Sequence, residues 1–575
     1  LSVNPEQSVG GISLFLGTEL PVDVDVQVSA RNAQSGETNI VYRGRLKTPA
    51  AWSSVDDAVA QSLFFDPIKT DRLILDFSGA ETAGFSLCEL DLLAPSPEVA
   101  APAQCTVRIN PKRVLRTINP RVFGANIEYW LDDDAALNDE HFARLIRQTG
   151  ITVLRYPGGT ESDRYLWKEH RLYDKKYWPF VDGPQTTDTD EMFAFAAKTG
   201  TEVILCVNTE YAFYEKDVEK GAAYAAEWVR YCREKNYPVK YWTIGNEPYW
   251  KANFGAKQFA ELVRVYAKKM KAENPDIVIA VAGEVGIDFV AKLDAILPEG
   301  RTLIQELQDR REALQIDPTE CEKQLSELRK QYKNPSPDLW WPTILNEVGK
   351  YIDMVEVHLY PGEPGRTIVT GEMTDQLQKL KQYARQRTGH PCELAVTEWN
   401  LFNLYGTGRE SQGMEQALYI GEFLGRLIEG GVDIGTFWPI TMRGNWIQKA
   451  FFVEKYHDIL PSQLGFALCS RNLSGELVAS SSDNRAYYTI ASRDDRKGET
   501  TVLIFGRPSA DAEDGVQVSL PLPDRTRCAH VEMFYAPDKQ SYSIQRLMPF
   551  VEQEDGRIFF AMPRYAMAAV KIIDQ

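Results

Sequence analysis

The stretch Glu202-Val-Ile-Leu-Cys-Val-Asn208 is a short apolar run. A second apolar run is Lys240-Tyr-Trp-Thr-Ile-Gly245, and residues 219–235, between the two runs, have a helical pattern. Apolar runs of this length predict buried strands, and apolar residues at three- and four-residue spacing predict the helix between them. Two buried strands joined by a helix form a βα unit with parallel strands. This unit decides the fold class, because the same alternation continues on both sides of it.

The alternation extends from about residue 120 to about residue 445. It predicts eight strands, at residues 122–128, 152–156, 202–208, 240–245, 277–282, 354–359, 393–397 and 433–438. Eight strands separated by helices indicate a closed barrel rather than an open sheet. We therefore predict an α/β chain built around a (β/α)8 TIM barrel.

The two ends of the chain follow a different pattern, in which short apolar stretches alternate with turn residues. This pattern is typical of antiparallel β-sandwiches. We predict an N-terminal sandwich over residues 1–95, a Pro- and Ala-rich linker over 96–104, the barrel domain over 105–450 and a C-terminal sandwich over 451–575. Residues 105–109 form a short strand that could also join the C-terminal sandwich. The N-terminal sandwich could bind carbohydrate or serve a structural role, and the charged residues 301–333 predict a solvated helical hairpin.

Composition excludes several classes of partner. A net charge of −17 opposes binding to the phosphates of nucleic acids and to anionic membrane surfaces. No apolar run approaches the ~20 residues that cross a bilayer, so we expect no membrane insertion. The six histidines are dispersed and no phosphate-binding Gly-rich loop precedes a lysine, so we expect no metal and no cofactor. The chain begins at Leu1 and not at a methionine, which indicates either a removed leader or a trimmed sequence. With a removed leader, we expect an extracellular or periplasmic protein.

Two predicted strands end in glutamates, at the end of the barrel where TIM barrels hold their active sites. The fourth strand ends Tyr241-Trp-Thr-Ile-Gly-Asn-Glu-Pro248, and the seventh ends Leu394-Ala-Val-Thr-Glu-Trp-Asn400. A single glutamate in such a place more often forms a salt bridge or a helix cap. Cleavage of a glycosidic bond, however, requires one protonated carboxyl group and one carboxylate. The pair therefore predicts a glycoside hydrolase.

These motifs carry a resemblance. Asn246-Glu247-Pro248 and Thr397-Glu398-Trp399-Asn400 resemble the acid/base and nucleophile signatures of clan A glycoside hydrolases. Two further motifs are similar to those of glycoside hydrolase family 51, namely Asn119-Pro-Arg-Val-Phe-Gly-Ala-Asn-Ile-Glu128 and Leu154-Arg-Tyr-Pro-Gly-Gly159. The resemblance to this family covers about residues 105–575. The resemblance implies a retaining enzyme that cleaves neutral plant-type oligosaccharides or polysaccharides by double displacement, with α-L-arabinofuranosidase favoured.

The resemblance also implies the catalytic residues, Glu247 as acid/base and Glu398 as nucleophile. Around them we expect a set of substrate-binding residues, namely Glu128, Asn246, Arg155, His358, Tyr360, Trp399 and Trp438. In this set Glu128 and Asn246 resemble ligands of sugar hydroxyls, while His358 and Tyr360 resemble the sixth-strand pair beside the nucleophile. The charge of Arg155 could keep a carboxylate ionised, and the two tryptophans could stack on sugar rings.

One position departs from the family pattern and keeps alternatives open. Arabinofuranosidases usually continue Pro-Gly-Gly with Asn, a ligand of the terminal sugar, whereas this chain continues with Thr160 and Glu161. An endo-acting β-glycanase on glucan or xylan, or a β-xylosidase similar to family 39, is the alternative enzyme. A catalytically silent carbohydrate-binding protein is the non-enzyme alternative, which the presence of both glutamates disfavours. A metal-dependent hydrolase would need clustered histidine and carboxylate ligands.

Overall fold

The computed structural model describes a set of ranges that together cover most of the chain: residues 2–3, 8–17, 23–32, 35–47, 59–78, 86–93, 103–173, 186–250, 255–287, 317, 319–320, 323, 339–361, 368, 370–401, 413–442, 450–453, 457–508 and 515–575. The chain forms two compact units. One comprises Leu1–Ile118, Thr407–Gly425 and Leu460–Gln575, and the other comprises Asn119–Gly406 and Arg426–Ile459. Most of the predicted linker and nearly all of the predicted helical hairpin lie outside the described residues.

A closed barrel of parallel strands forms the centre of the second unit. Its strands, in chain order, are Gly124–Asn126, Val153–Tyr156, Glu202–Val207, Tyr241–Ile244, Val278–Gly283, Met354–Leu359, Glu393–Trp399 and Ile434–Phe437. Each strand pairs with the next along the chain, and the eighth pairs with the first. The predicted (β/α)8 barrel is therefore confirmed, and each predicted strand overlaps one barrel strand.

Helices connect most of these strands. The α-helices described between residues 119 and 472 are Asp134–Asn138, Glu140–Thr149, Thr189–Thr199, Glu210–Tyr214, Val218–Glu234, Ala256–Glu273, Trp340–Val348, Glu372–Thr388, Met414–Gly430 and Pro461–Asn472. Local sequence sets their ends: the side chain of Asp139 caps Glu140–Thr149 by accepting from the His141 N–H, and Gly150 ends the helix with a left-handed φ of 74°.

The inside of the barrel changes from apolar to polar along the strands. Toward the N-terminal ends, alternate residues form a buried apolar cluster, consisting of Val153, Ile204, Tyr241, Val278, Ala280, Met354, Ala395 and Ile434. Side chains two residues apart on a strand point to the same face. Arg155, Thr243 and Glu356 therefore lie above this cluster, and the barrel presents polar side chains at its C-terminal end.

The described residues among the first 93 include two small antiparallel sheets. One sheet has the order Val59–Lys69, Ser8–Gly17, Ser86–Leu93, and the other has the order Thr38–Lys47, Asp23–Arg31, Arg72–Ser78. Alternate residues of both sheets contribute to one buried core, which includes Ile12, Leu14, Val26, Val28 and Leu73. This is the sandwich arrangement expected from the alternating pattern.

The C-terminal strands belong to one ten-stranded sheet. Its strands after residue 475 are Glu476–Ser482, Tyr487–Asp494, Glu499–Gly506, Gly515–Pro521, Thr526–Tyr535, Gln545–Leu547, Glu552–Glu554, Arg557–Pro563 and Ala566–Asp574. The tenth is Ala103–Thr117, which the sequence analysis assigns to the start of the barrel domain. It pairs with Glu476–Ser482 and with Gly515–Pro521, and it buries Cys105 and Val107 in the core of this sheet. The alternative that residues 105–109 join the C-terminal sandwich is therefore confirmed.

Within the described ranges, no helix combines the length and the apolar character needed to span a bilayer.

Candidate active site

The two predicted catalytic glutamates lie side by side at the C-terminal end of the barrel. Glu247 follows the fourth strand and Glu398 lies near the end of the seventh. His358, from the sixth strand, contacts both: its Nδ1 is 2.9 Å from Oε1 of Glu247 and 3.4 Å from Oε2 of Glu398. One side-chain atom of each of the three residues lies within 4.8 Å of the other two. The structure thus brings the two carboxyl groups to one point.

A β-bulge in the seventh strand aims Glu398 at this point. Val357 pairs with Val396, yet the next residue, His358, pairs with Glu398, so Thr397 is an extra residue in the seventh strand. A bulge of this kind interrupts the alternation of side chains and turns one of them toward a new direction. Glu398 therefore lies beside His358 in the cleft.

Glu247 sits on an unusual turn of the backbone. Its φ is 47°, in the left-handed region that residues other than glycine rarely adopt, and Gly245, two residues earlier, has a φ of 74°. The turn is held by Asp163, whose Oδ1 accepts hydrogen bonds from the Asn246 N–H at 2.9 Å and from the Thr209 hydroxyl at 2.8 Å. Such backbone conformations cluster at functional sites, where the surrounding structure enforces them.

Arg155 lies beneath the site and holds two of its members. Its Nη1 donates to Oε1 of Glu398 at 3.1 Å and to Oδ1 of Asn126 at 3.1 Å, and its Nη2 donates to Oδ1 of Asn246 at 2.8 Å. The arginine is 0% exposed. It therefore orients the carboxyl group of Glu398 and lies too deep for the direct substrate contact that we expected.

The protonation of Glu398 depends on the groups that donate hydrogen bonds to it. Burial, together with the negative charge of Glu247, raises the pKa of Glu398, while His358, Arg155 and the Tyr360 hydroxyl act in the opposite direction. The Tyr360 hydroxyl donates to Oε2 of Glu398 at 2.8 Å. Burial and the charge of Glu398 raise the pKa of Tyr360 well above its usual range, so this residue stays a neutral donor.

His358 is held as a cation. Burial disfavours its charged form, but Glu398, Glu247 and Glu356 outweigh burial and raise the pKa of His358 to about 10. Its Nδ1 faces Glu247 and Glu398, and its Nε2 lies 3.5 Å from Oε1 of Glu356. The imidazolium thus lies between the carboxyl groups of Glu247 and Glu398 on one side and that of Glu356 on the other.

One side-chain atom each of Glu247, His358 and Glu398 lies close enough to the other two for the three groups to surround a metal ion. Both ring nitrogens of His358 face carboxyl oxygens, Nδ1 that of Glu247 and Nε2 that of Glu356. The ring therefore links the carboxyl group of Glu247 to the carboxyl group below it.

Glu128 and Trp438 form the side of the site next to the Gly158-Gly159 turn. The indole Nε1 of Trp438 donates to Oε1 of Glu128 at 2.7 Å. Glu161, from the short 3-10 helix Thr160–Asp163, approaches the same place, since a Cβ built on Gly159 would lie 3.1 Å from Oε2 of Glu161 and 3.2 Å from Oε1 of Glu128. Burial, followed by the charges of Glu161 and Glu398, raises the pKa of Glu128 well above its usual range.

Trp399 does not occupy the place expected for it. Its ring is fully buried and packs edge-on against Phe437, with 5.1 Å between ring centroids. Neighbouring residues of a strand point to opposite faces, so Glu398 facing the cleft turns Trp399 away from it. The expected sugar contact of Trp399 is therefore corrected to a packing role, whereas Trp438 remains partly exposed beside Glu128.

The sequence analysis missed five residues that contribute to the site, namely Asn126, Glu161, Asp163, Glu284 and Glu356. Two of them carried a detectable signal. Asn126 and Glu356 are polar residues inside predicted strands, two positions before Glu128 and His358, and therefore on the same strand face as an expected site residue. The other three follow strand ends, and their contacts depend on how the connecting loops fold.

The curated proteins that this chain resembles in sequence include arabinofuranosidases. A probable α-L-arabinofuranosidase C from Aspergillus niger is 27% identical over 235 residues, which are 34% of this chain and 45% of the relative. An intracellular exo-α-(1→5)-L-arabinofuranosidase from Bifidobacterium longum is 25% identical over 199 residues, 29% of this chain and 35% of the relative. The chain thus matches less than half of the length of these curated relatives. No protein-family model matches the chain.

Solved structures of arabinofuranosidases share the fold. The family 51 α-L-arabinofuranosidase AbfB from Bifidobacterium longum superposes with a TM-score of 0.60 at 16% identity, covering 82% of this chain and all of that one. The α-L-arabinofuranosidase from Thermotoga maritima superposes with a TM-score of 0.57 at 17% identity and the same coverage. The similarity to family 51 that the motifs predicted is therefore confirmed.

Proposed function

We propose that this chain, which is similar in sequence and fold to the family 51 α-L-arabinofuranosidases, is a retaining glycoside hydrolase with Glu247 as acid/base and Glu398 as nucleophile. The observation that carries the proposal is that one carboxyl oxygen of each residue lies within 4.8 Å of the other at the C-terminal end of the barrel. Retaining enzymes hold their carboxyl groups about 5 to 5.5 Å apart, whereas inverting enzymes need about 6.5 to 9.5 Å to admit a water molecule. The short separation supports direct attack.

The reaction then proceeds in two displacements. In the first, a carboxylate oxygen of Glu398 bonds to the anomeric carbon, the glycosidic bond breaks, and the proton of Glu247 passes to the leaving oxygen. In the second, a water oxygen bonds to the anomeric carbon, its proton passes to Glu247, and the ester bond to Glu398 breaks. Both carboxyl groups are restored, and the anomeric configuration is retained.

The residues around Glu398 support both steps. Arg155 and Tyr360 each donate to one of its oxygens, which fixes the carboxylate for attack and stabilises it as the leaving group of the second step. Asn246 is held by Arg155 through its Oδ1, which leaves its amide N–H groups as donors for a sugar hydroxyl. Donors fixed before the reaction stabilise the transition state without having to reorganise.

The proposed substrate is a neutral glycan that carries α-L-arabinofuranosyl groups. The names of the sequence relatives support this choice. The charge of the site supports a neutral sugar, since Glu128 and Glu161 lie together next to the Gly158-Gly159 turn and a uronate would meet further negative charge there. An endo-acting β-glycanase is the second candidate, favoured by Thr160 and Glu161 at the place of the usual Asn.

A panel of substrates tests the proposal. Purified protein is assayed on 4-nitrophenyl α-L-arabinofuranoside, β-D-xyloside, β-D-glucoside and β-D-glucuronide, and on arabinan, arabinoxylan and β-glucan. We expect the arabinofuranoside to be the best aryl substrate, with the retained anomer as the first product seen by proton NMR. Cleavage of β-glucan or xylan alone would favour the second candidate. Activity confined to uronides, or an inverted first product, would contradict the proposal.

A further inference from the structure

A third glutamate, Glu356, lies inside the barrel below the two catalytic ones. It belongs to the sixth strand, two residues before His358, and it is 0% exposed. The Thr243 hydroxyl donates to its Oε2 at 2.8 Å. Its Oε1 lies 3.5 Å from Nε2 of His358 and 3.6 Å from Nη2 of Arg155. Its carboxyl group therefore touches both cations that hold Glu398.

The charges of the side chains around Glu356 depend on the protonation of Glu247. Arg155 and His358 are cations, and Glu356 and Glu398 are their anionic partners. These four charges cancel one another, so an ionised Glu247 adds an unbalanced negative charge to them, whereas a protonated Glu247 adds none. Net charge in a buried site is strongly disfavoured. A protonated Glu247 beside an ionised Glu398 is the state that the first displacement requires.

We propose that Glu356 is a positioning residue whose negative charge balances Arg155 and His358, so that Glu247 keeps its proton while Glu398 is ionised. The inference rests on the proposed function and goes beyond it, because Glu356 does not reach the substrate. A glutamine could fill the same space and accept the same hydrogen bond from Thr243. It would leave the two cations with a single anion, and the cluster would relieve the excess charge by releasing a proton.

The other titratable groups around the cluster do not replace this charge. Burial raises the pKa of Cys206 to about 12, and it raises the pKa values of Tyr249 and Tyr360 well above their usual range. All three are therefore neutral near pH 7. Glu284, which faces Glu247 and His358, has a pKa raised to about 7 by burial and by Glu247. Burial, followed by the charges of Glu161 and Glu398, raises the pKa of Glu128 well above its usual range. Glu284 and Glu128 are both present in every variant below, so their titration is common to all the profiles of activity against pH.

The first test is the dependence of kcat/KM on pH in Glu356→Gln. Removal of a negative charge favours the loss of protons from every neighbour, so both limbs of the profile should move to lower pH, by about 1 to 3 pH units. The matched control is Thr243→Val, which removes the hydrogen bond to Glu356 and keeps the charge; its limbs should stay in place. Glu356→Asp also keeps the charge, so its limbs should stay in place while kcat falls. Unmoved limbs in Glu356→Gln would reduce Glu356 to a packing residue and overturn the proposal.

The second test does not depend on catalysis. In protein labelled with 15N-histidine, with the His358 signals assigned by His358→Asn, both ring nitrogens of His358 should carry protons at pH 8 in the unaltered chain. Glu356→Gln should lose one of these protons at a lower pH than the unaltered chain does. A neutral His358 at pH 8 in the unaltered chain would overturn the inference even where Glu356→Gln fails to fold. Failure of the proposed function would appear instead as a cationic His358 in a protein without glycosidase activity.

Discussion

The indole nitrogen of Trp438 donates a 2.7 Å hydrogen bond to Oε1 of Glu128, which joins the end of the eighth barrel strand to the end of the first. The bond fixes the orientation of a carboxyl group that is only 2% exposed. It also counteracts the rise in the pKa of Glu128 that burial and Glu161 cause. Glu128 is thus presented to the cleft as an oriented group whose position depends on Trp438.

Replacing Trp438 by Phe tests whether this orientation serves substrate binding. Loss of one hydrogen bond of this kind costs about 0.5 to 1.5 kcal/mol, so we expect KM for the aryl arabinofuranoside to rise by up to about tenfold with little change in kcat. Trp399→Phe is the contrasting variant. Because Trp399 is buried against Phe437, it should lower the free energy of unfolding and leave KM unchanged. A fall in kcat alone for Trp438→Phe would contradict the binding role.

Replacing Tyr360 by Phe removes a donor from the nucleophile. The Tyr360 hydroxyl bonds to Oε2 of Glu398 and lowers its pKa, so without it the carboxylate takes up a proton at higher pH. We expect the acid limb of kcat/KM to move to higher pH and kcat to fall about 10- to 100-fold, as for a hydrogen bond of about 1.5 to 3 kcal/mol to a charged group. Tyr383→Phe, on the helix Glu372–Thr388, should change neither. An unmoved acid limb in Tyr360→Phe would mean that Tyr360 does not control the ionisation of Glu398.

Glu284 should influence the alkaline limb. It follows the fifth strand, and burial together with Glu247 raises its pKa to about 7. Above that pH its negative charge helps the proton stay on Glu247. Glu284→Gln should therefore move the alkaline limb of kcat/KM to lower pH, as measured with the aryl arabinofuranoside. Glu347→Gln, an exposed change on the helix Trp340–Val348, is the control. A shift of the alkaline limb to higher pH would show that the two carboxyl groups are not coupled in this way.

The barrel could be predicted because apolar runs and helical patterns alternate regularly along the sequence. Each barrel strand is a buried run, and the strand Met354–Leu359 was predicted with the bounds that the structure has. The bulge at Thr397 was not predictable, because it depends on pairing with the sixth strand rather than on local sequence. For the strand Ala103–Thr117, the sequence left two partners open, the barrel domain and the C-terminal sandwich, because a strand pattern does not specify its partner. One partner strand in the structure lies more than 350 residues away along the chain.

The sequence predicted the two glutamates of the site, but it could not predict how deep the other site residues lie inside the barrel. The motifs identified Glu247 and Glu398, whose side chains the structure brings together. They could not show that Arg155 and Glu356 lie below the pair and not beside the sugar, because that depends on the depth of each residue along its strand. A charge within a buried run is the signal that could have identified Glu356.

Alanine variants of the two glutamates distinguish their roles, because each variant should lose a different step of the reaction. Glu398→Ala lacks the atom that bonds to the anomeric carbon, so turnover should be abolished for every substrate. Added azide can occupy the vacated space on that face of the sugar and attack in one displacement, with Glu247 still able to protonate the leaving group. We expect a glycosyl azide of inverted configuration, identified by proton NMR.

Glu247→Ala still forms the ester with Glu398 but lacks the proton donor. A nitrophenolate leaves without protonation, so aryl glycosides should retain far more of their rate than arabinan or arabinoxylan. Azide then replaces the activated water in the second displacement, and the glycosyl azide should have the retained configuration. His358, which contacts both carboxyl groups, is present in both variants, so a difference between them reports the glutamates themselves. An exchange of the two azide products would reverse the assignment, and near-normal rates on polysaccharide in both variants would show that the reaction takes place elsewhere.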